Sequence, residues 1–310
     1  MTATRRVGAF LAHPAPLGDA AARRLATEAV GDLLALMLAG WDDPAAERAH
    51  TAMVRSAPGS TTVVGRAGGL AVADAAMVNG TAAHALDFDD NYGPMFGHAS
   101  AVLVPALMAV GEDRDLTTTA LLDAYIAGLE VMAVLGEALT VAHYHRGWHA
   151  TSTIGTVGAA AAVARLLGLD AESAGHAVGL ATSMAGGSKR QFGTTAKPLH
   201  AGLAARHAVS AALLAEAGLT AAPEALSGSW SFLDLFQGDV APLDPAPIAA
   251  GLAEVNAGTR PAAVATHGLK LKIHPNCASV HAALDAVLDL RAEHGFGPDD
   301  VAAVETVVRE

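Results

Sequence analysis

Apolar residues recur at helical spacing along most of the chain, and the stretches with this pattern predict helices. In DAAARRLATEAVGDLLALMLAG, an apolar stripe begins after Asp19 and ends at Gly40. The same pattern predicts helices over residues 19–40, 69–86, 100–111, 117–141, 151–167, 170–184, 197–217 and 277–293. Only residues 60–66 and 301–308 favour strands. Because strands and helices do not alternate, we expect a mainly α fold and not a doubly wound sheet.

The last predicted strand has no evident partner in the sequence. After Gly295-Phe296-Gly297-Pro298, the segment DDVAAVETVVRE predicts a capping turn and then a strand. A single strand leaves its backbone donors and acceptors unpaired. It is therefore expected either to join a sheet edge elsewhere or to mark the start of a second domain.

Composition narrows the class of protein and of partner. The 310 residues are 52% apolar but only 4% aromatic, and alanine supplies much of the apolar content, which suits closely packed helices. The net charge of −12 argues against nucleic acid or an anionic membrane surface as a partner. The single cysteine, Cys277, excludes an intrachain disulfide framework.

Nothing in the sequence indicates a membrane span or a secretion signal. The apolar stretch after Arg5 and Arg6 ends at His13-Pro14, which makes it too short for a signal sequence. No uninterrupted apolar run reaches the roughly 18 residues of a membrane span. The predicted location is cytoplasmic.

Four polar segments interrupt the apolar pattern, each at a predicted helix boundary. They are HALDFDDNYGPMFGHAS (residues 84–100), HYHRGWHATS (143–152), SKRQFGTTAKPLHAG (188–202) and LKLKIHPNCASVH (269–281). In the first, helical spacing would place His84 and Asp87 on one face, with Asp89 and Asp90 pointing elsewhere. Loops and helix ends at the edge of a rigid core commonly form sites, so the four segments together predict one.

Each segment could also have a purely structural role. Binding of a metal ion is not supported, because the segments lack the known metal-binding sequence patterns. A histidine taken singly is more often a cap or a hydrogen-bonded core residue. The acidic run LDFDDNYG is too short for a calcium loop, and neither HExxH nor paired CxxC occurs for zinc. Gly186-Gly187-Ser188-Lys189 lacks the P-loop pattern and indicates a helix C-cap. No metal is predicted.

The polar segments resemble those of the MmgE/PrpD family, which includes 2-methylcitrate dehydratase, cis-aconitate decarboxylase and iminodisuccinate epimerase. The resemblance runs through NGTAAHALDFDDNYGPMFGHAS…VLVPALMA, GWHATSTIGTVGAAAAVARLLGLD, FGTTAKPLHAGLAARHAV and KIHPNCASVHAALDA, in order along nearly the whole chain. It implies a large all-helical bundle domain (residues 1–268), the start of a smaller α+β lid domain (269–310) and a site between them. It also implies a homodimer and no metal or organic cofactor.

The resemblance assigns roles to individual residues. Asp87 falls at the active-site aspartate of the family's LDxDD motif, His98 at the following histidine, His149 in the G-[FW]-H motif and Lys197 in the TKPLH motif. His281 and Cys277 lie where the lid begins. The predicted catalytic residues are His98, His149, Lys197, Asp87 and His281, and the predicted substrate-binding residues are Asn91, His84, His200, Lys272 and Cys277. Asn91 stands where relatives often have a hydroxyl, and His274 where an aromatic is usual; both bear on substrate choice.

The expected function is that of a lyase or isomerase acting on a small di- or tricarboxylate. Lys197 and the histidines supply donors and positive charge, and a histidine suits proton transfer near neutral pH. Asp87 cannot attract a carboxylate, so its expected role is to orient a histidine.

Members of this family usually continue past residue 310 through the rest of the lid domain, and this affects which partners are expected. A separate lid-domain chain is therefore expected beside the second copy and the polycarboxylate, and an open site predicts weak turnover from the chain alone. The alternatives are a catalytically reduced relative that serves as a binding or scaffold subunit, or one half of a split enzyme.

Overall fold

The computed structural model of the chain describes residues 1–237 and 246–307. Helices account for 64% of the structure and strands for 4%, which confirms the mainly α class. The helices are α1 (Ala3–Leu11), α2 (Ala20–Gly40), α3 (Pro44–Met53), α4 (Val72–Ala85), α5 (Ser100–Asp113), α6 (Thr118–His145), α7 (Ala150–Leu166), α8 (Ala171–Thr182), α9 (Ala196–Glu216), α10 (Phe232–Gln237), α11 (Ala246–Asn256), α12 (Ala263–His267) and α13 (His281–His294). The eight predicted helices are all present, with ends shifted by a few residues.

The strands differ from the prediction at both places. Residues 60–66 contribute only β2 (Thr61–Thr62), which joins β1 (Pro58–Gly59) and β3 (Gly69–Leu70) in a small antiparallel sheet with β3 at its centre. The predicted strand at 301–308 is wrong for residues 301–307, which form no strand; residue 308 lies outside the described residues. Residues 301–307 are exposed, so Val301, Val304 and Val307 have no sheet face to pack against.

Helix α7 lies at the centre of the core, and every residue of it except Arg165 is buried. Its sequence, ATSTIGTVGAAAAVARL, consists mostly of small residues, which lets neighbouring helices approach closely. Gly158 lies against Met132 of α6, where a Cβ would overlap the methionine side chain. Alanine and glycine thus fill the contacts between helices in this part of the core, because the helix backbones themselves lie close together.

The apolar helix α6 is also a core helix. Over Thr118–Leu139 it has the length and composition of a membrane span, but 72% of that window is buried inside the protein. The buried acidic residue Glu130 of this helix has partners inside the protein. It accepts hydrogen bonds from the Arg260 side chain and from the backbone N–H of Ala263. The hydropathy of α6 is therefore explained by packing.

The crossing of α4 and α9 sets the distance between two parts of the cavity described below. A Cβ on Gly80 would lie 3.0 Å from the Gly202 Cα, and a Cβ on Gly202 would overlap the Met77 carbonyl oxygen and the Thr81 hydroxyl. The crossing is about one turn away from His84 in α4 and from Lys197 in α9. Close helix contact at two glycines thus brings these two side chains together.

Gly202→Ala is expected to destabilise the protein by about 1–3 kcal/mol, because the backbone around the added methyl must move. The matched control is Gly31→Ala on α2, where a Cβ meets nothing within 4 Å. There the same substitution should stabilise by about 0.5–1 kcal/mol, since alanine favours helix. Urea unfolding measures both changes, and equal effects of the two substitutions would contradict the close crossing.

The segment after α12 extends over the helical core and ends in an exposed helix. Asn91 and Lys270 form a backbone bridge, with N–O distances of 3.0 Å in both directions. None of the residues of α13 is buried. The division into domains at 268/269 stays a prediction.

Candidate active site

A cavity of about 740 Å³ opens where α4 ends and where α7 and α9 begin. Its described lining brings together side chains from all four polar segments of the sequence. Among them are His84, Asp87, Asn91, Phe96, His98, Tyr144, His149, Phe192, Lys197 and Cys277. His98 and Lys197, which are 99 positions apart in the sequence, therefore face one small volume.

Asp87 holds two lysines in the cavity wall. Its Oδ2 lies 2.9 Å from Lys197 Nζ and its Oδ1 lies 2.8 Å from Lys272 Nζ. Lys272 also donates to the Asp87 carbonyl oxygen at 2.7 Å. Burial alone would raise the pKa of Asp87, but the hydrogen bonds from Lys272 and Lys197 outweigh it and hold that pKa below its usual value. One ionised carboxylate thus faces two ammonium groups.

These contacts do not support the expected role of Asp87 as the residue that orients a histidine. His98 Nε2 is 4.0 Å from Asp87 Oδ1, which is too long for a hydrogen bond. Both carboxylate oxygens are engaged by lysines instead. Asp87 acts as the counter-ion that keeps the two ammonium groups side by side.

Asp89 performs the orienting role. It is fully buried, and both of its oxygens lie 2.9 Å from His84 Nδ1. Its Oδ2 is also 3.4 Å from His98 Nδ1. Burial would raise the pKa of Asp89, but the neighbouring His84 and His98 hold it well below the ordinary range.

The expectation that Asp89 and Asp90 point away from the His84 face was therefore wrong for Asp89. That expectation assumed a continuous helix, but α4 ends at Ala85 and Asp87 has a left-handed backbone with φ of 50°. The chain reverses at this point and carries Asp89 back to His84. Asp90 is also buried, where it accepts a hydrogen bond from the Ser100 hydroxyl.

The tautomer of His98 follows from its backbone partner. Its Nδ1 lies 2.8 Å from the Asp90 carbonyl oxygen, which can only accept, so Nδ1 carries the proton. Nε2 of the neutral ring then has a free lone pair. Burial, reinforced by the charges of His84, Lys272 and Lys197, lowers the pKa of His98 to about 4, although Asp89 opposes the shift. At neutral pH His98 is a base.

His149 is fixed by its backbone and by its ring. It is the N-cap residue of α7, and its N–H donates to the Gly187 carbonyl oxygen at 3.0 Å. Its Nδ1 lies 3.0 Å from Nδ1 of His200, and its ring packs edge-on against Phe192. Burial, together with the charges of nearby histidines and Lys197, holds the pKa of His149 well below its usual value, so the ring is neutral.

The remaining predicted site residues differ in their positions. Asn91, His84 and Cys277 line the cavity, and Lys272 reaches it through Asp87. Neither His200 nor His281 belongs to the described lining. His200 lies behind His149, and the ring of His281 packs against His274 at a centroid distance of 5.1 Å.

Sequence reasoning did not select the aromatic part of the wall. Phe96, Tyr144 and Phe192 line the cavity, and all three stand inside the polar segments, which was the available signal. The Lys189 ammonium lies 3.2 Å from the centroid of the Tyr144 ring. Asp43, the N-cap residue of α3, also lines the cavity, and no pattern in the sequence connected it with the site.

One group in this wall has the spacing of a metal site but not the chemistry. Ligand atoms of His84, Asp87, Asp89 and His98 lie within 4.8 Å of one another. The ammonium groups of Lys197 and Lys272 already occupy the Asp87 oxygens, and a cation there would face both positive charges. The Nδ1 atoms of both histidines bond to acceptors, so only their Nε2 atoms could ligate a cation beside these lysines. These residues do not fit a metal ion.

Comparisons with known proteins identify relatives over much of the chain. The family model for the MmgE/PrpD N-terminal domain matches residues 10–242. Human cis-aconitate decarboxylase is 38% identical over 150 residues, which is 47% of this chain and 31% of that protein. Cis-aconitate decarboxylase of Aspergillus terreus is 27% identical over 248 residues, covering 76% of this chain and 49% of that protein. The cis-aconitate decarboxylase-like protein oryM of Aspergillus oryzae is 32% identical over 216 residues, covering 66% of this chain and 45% of that protein.

The matched regions reach at most about half the length of these curated relatives. The family match, in contrast, covers most of the present chain, from the end of α1 to beyond α10. It includes Asp87, His98, His149 and Lys197, which the structure gathers at one cavity. The chain belongs to the MmgE/PrpD family.

Proposed function

We propose that the protein is a lyase or isomerase that acts next to a carboxylate of a small di- or tricarboxylate. Family membership and the names of the relatives support this class of reaction. Those names also make decarboxylation of cis-aconitate the first reaction to test, before dehydration of 2-methylcitrate and epimerisation of iminodisuccinate. The cytoplasmic location, the homodimer and the separate lid-domain chain stay predictions.

The observation that carries the proposal is the pair of ammonium groups on Asp87. Lys197 and Lys272 bring two positive charges to a partly buried wall, and Asp87 offsets only one. A substrate carboxylate that contacts Lys197 at the cavity surface, with Lys272 held behind it by Asp87, completes the charge balance. Because the wall is shielded from water, such contacts are stronger than the same contacts on a surface.

The neutral histidines supply the proton chemistry. Dehydration, epimerisation and decarboxylation all develop negative charge on a carbon beside a carboxylate, which the lysine ammonium groups stabilise. His98 accepts a proton through Nε2, because its Nδ1–H is held by the Asp90 carbonyl oxygen. The same contact prevents His98 from returning a proton through Nδ1. His149 is the histidine left to donate one, through the Nε2 that His200 leaves free.

Lys197→Met and Lys272→Met should each weaken substrate binding by about 10-fold to 100-fold, the usual worth of a hydrogen bond to a charged group. Isothermal titration with cis-aconitate, 2-methylcitrate and iminodisuccinate measures the loss, and product analysis identifies the reaction. The matched control is Lys270→Met, two residues from Lys272, because the Lys270 side chain is exposed and its hydrogen bonds with Asn91 are made by the backbone.

The outcomes separate the proposed enzyme from its alternatives. Binding with turnover by the full chain, alone or with an added lid-domain chain, supports a lyase or isomerase. Binding that depends on both lysines but never leads to turnover would favour the binding or scaffold subunit. Wild-type affinity in both lysine variants would exclude this wall as the carboxylate site.

A further inference from the structure

His200 lies beside the cavity but not in its described wall. It follows Lys197 by three residues, so the two share a face of α9. Lys197 lines the cavity, whereas His200 is 8% exposed and sits behind the ring of His149. The two imidazole centroids are 5.3 Å apart, and the Nδ1 atoms are separated by 3.0 Å. This position favours an action through His149 over contact with substrate.

The distance between the Nδ1 atoms limits where protons can be. Two lone pairs at 3.0 Å would repel each other, and two N–H groups would collide, so one of the two atoms carries a proton and the other accepts it. The tautomer of His149 is therefore coupled to that of His200. If His200 donates, the neutral His149 ring carries its own proton at Nε2, toward the cavity.

We propose that His200 is a positioning residue that donates from Nδ1 to His149 Nδ1 and so makes His149 Nε2–H the proton donor of the site. The direction of the hydrogen bond rests on the proposed function, which needs a proton donor, and the neutral His98 carries no proton at Nε2. During decarboxylation, the C–C bond to the departing carboxylate breaks, CO2 leaves, and the carbanion that remains takes the Nε2 proton of His149 to form a C–H bond. In the same step His200 passes its Nδ1 proton to His149 Nδ1, and solvent reprotonates His200.

The surroundings of His149 favour a neutral donor. The charged or titratable groups that face it are His84 at the end of α4, His98 in the following loop, and Lys197 and His200 on α9. None of these strongest contributors is an acid, and each of them disfavours an imidazolium at this position. A neutral ring held by a histidine can donate without first acquiring a positive charge beside Lys197.

The first test is spectroscopic and does not depend on turnover. In the full chain labelled with ¹⁵N-histidine, wild-type His149, assigned with the His149→Gln variant, should show a protonated Nε2 and an unprotonated Nδ1. In His200→Leu the single tautomer should be lost. A protonated Nδ1 in the wild type, or an unchanged spectrum of His149 in His200→Leu, would overturn the proposal.

The second test is kinetic and includes a conservative rescue. His200→Leu should lower kcat by about 10-fold to 100-fold, which is less than the roughly 10²-fold to 10⁴-fold expected for loss of a general acid itself, with little change in KM. His200→Asn should recover most of the loss, because its amide N–H can donate from nearly the position of Nδ1. His207→Leu, further along α9, removes a half-buried histidine with a backbone partner and should leave kcat unchanged.

The two tests separate a failure of this proposal from a failure of the proposed function. If the carboxylates are not turned over but the tautomer of His149 changes in His200→Leu as expected, the function is wrong and the pairing stands. If turnover occurs and both His200 variants match the wild type, the function stands and the positioning role is excluded.

Discussion

His98→Asn is expected to lower kcat by about 10²-fold to 10⁴-fold, the usual contribution of a general base. The variant is chosen because the asparagine amide N–H can still donate to the Asp90 carbonyl oxygen, the contact that fixes the histidine ring. What it removes is Nε2, the atom with the free lone pair. Folding and substrate affinity should change little, because Lys197 and Lys272 are untouched.

The pH dependence provides an independent check on His98. Because burial and the nearby positive charges lower its pKa to about 4, the ring stays neutral and basic well below pH 6. The dependence of kcat/KM on this group should therefore be flat from neutral pH down to about pH 5 and fall as pH drops through 4. An inflection near the ordinary histidine value of about 6.5 would contradict the geometry.

The control for His98→Asn is His294→Asn in the exposed last turn of α13. It makes the same chemical change far from the buried cavity wall and should leave both kcat and stability at wild-type values. Circular dichroism and urea unfolding show whether His98→Asn remains folded. A folded His98→Asn protein with wild-type kcat would exclude His98 as the base.

The sequence predicts the helices well because their apolar periodicity is long and regular. It misses α3, although Asp43 and Pro44 provide a cap and a first-turn proline, because the helix has only two buried residues. The predicted strand at 301–308 shows the opposite failure. Its β-branched residues (valines and a threonine) favour a strand locally, but a strand forms only where another edge accepts its hydrogen bonds.

Sequence patterns locate the site but do not assign all roles within it. The polar segments point to the cavity because its wall is built at helix ends, where these segments stand. The orienting role expected of Asp87 falls to Asp89, since a single left-handed residue reverses the chain after α4. Helical spacing cannot reveal such a reversal. The position of His200 behind His149 likewise depends on the packing of α9 against α7, which no local pattern records.

The neighbouring carboxylates Asp89 and Asp90 should respond in opposite directions to the same substitution. Asp89 is buried as an ion against His84, and its folded pKa is depressed. Its stabilising contribution is therefore fully present above the unfolded pKa of about 4 and is lost as the pH falls below it. Asp89→Asn replaces the charged acceptor of His84 Nδ1 with a neutral amide and should cost about 1.5–3 kcal/mol at pH 7, the usual worth of a hydrogen bond to a charged group.

Asp90 is buried without a cation. Burial raises its pKa to about 7, against the opposing hydrogen bond from Ser100. Between the unfolded pKa of about 4 and the folded value, the folded protein retains a proton that the unfolded chain has lost, so stability falls as pH rises. Asparagine cannot ionise, and its amide can serve the Ser100 hydroxyl as the protonated acid does.

Asp90→Asn should therefore gain stability relative to the wild type by about 1.4 kcal/mol per pH unit between pH 5 and 7, and no further above that. Urea unfolding of the wild type, Asp89→Asn and Asp90→Asn at pH 5, 6, 7 and 8 measures the difference directly. The histidines of lowered pKa change stability with pH in the opposite direction, but they do so equally in the wild type and in every variant. Subtracting the wild-type stability at each pH therefore cancels their effect. Asp289→Asn, on the exposed α13, serves as the control and should match the wild type throughout. A loss of stability in both buried variants, or a difference for Asp90→Asn that does not change with pH, would show that the two carboxylates share one environment.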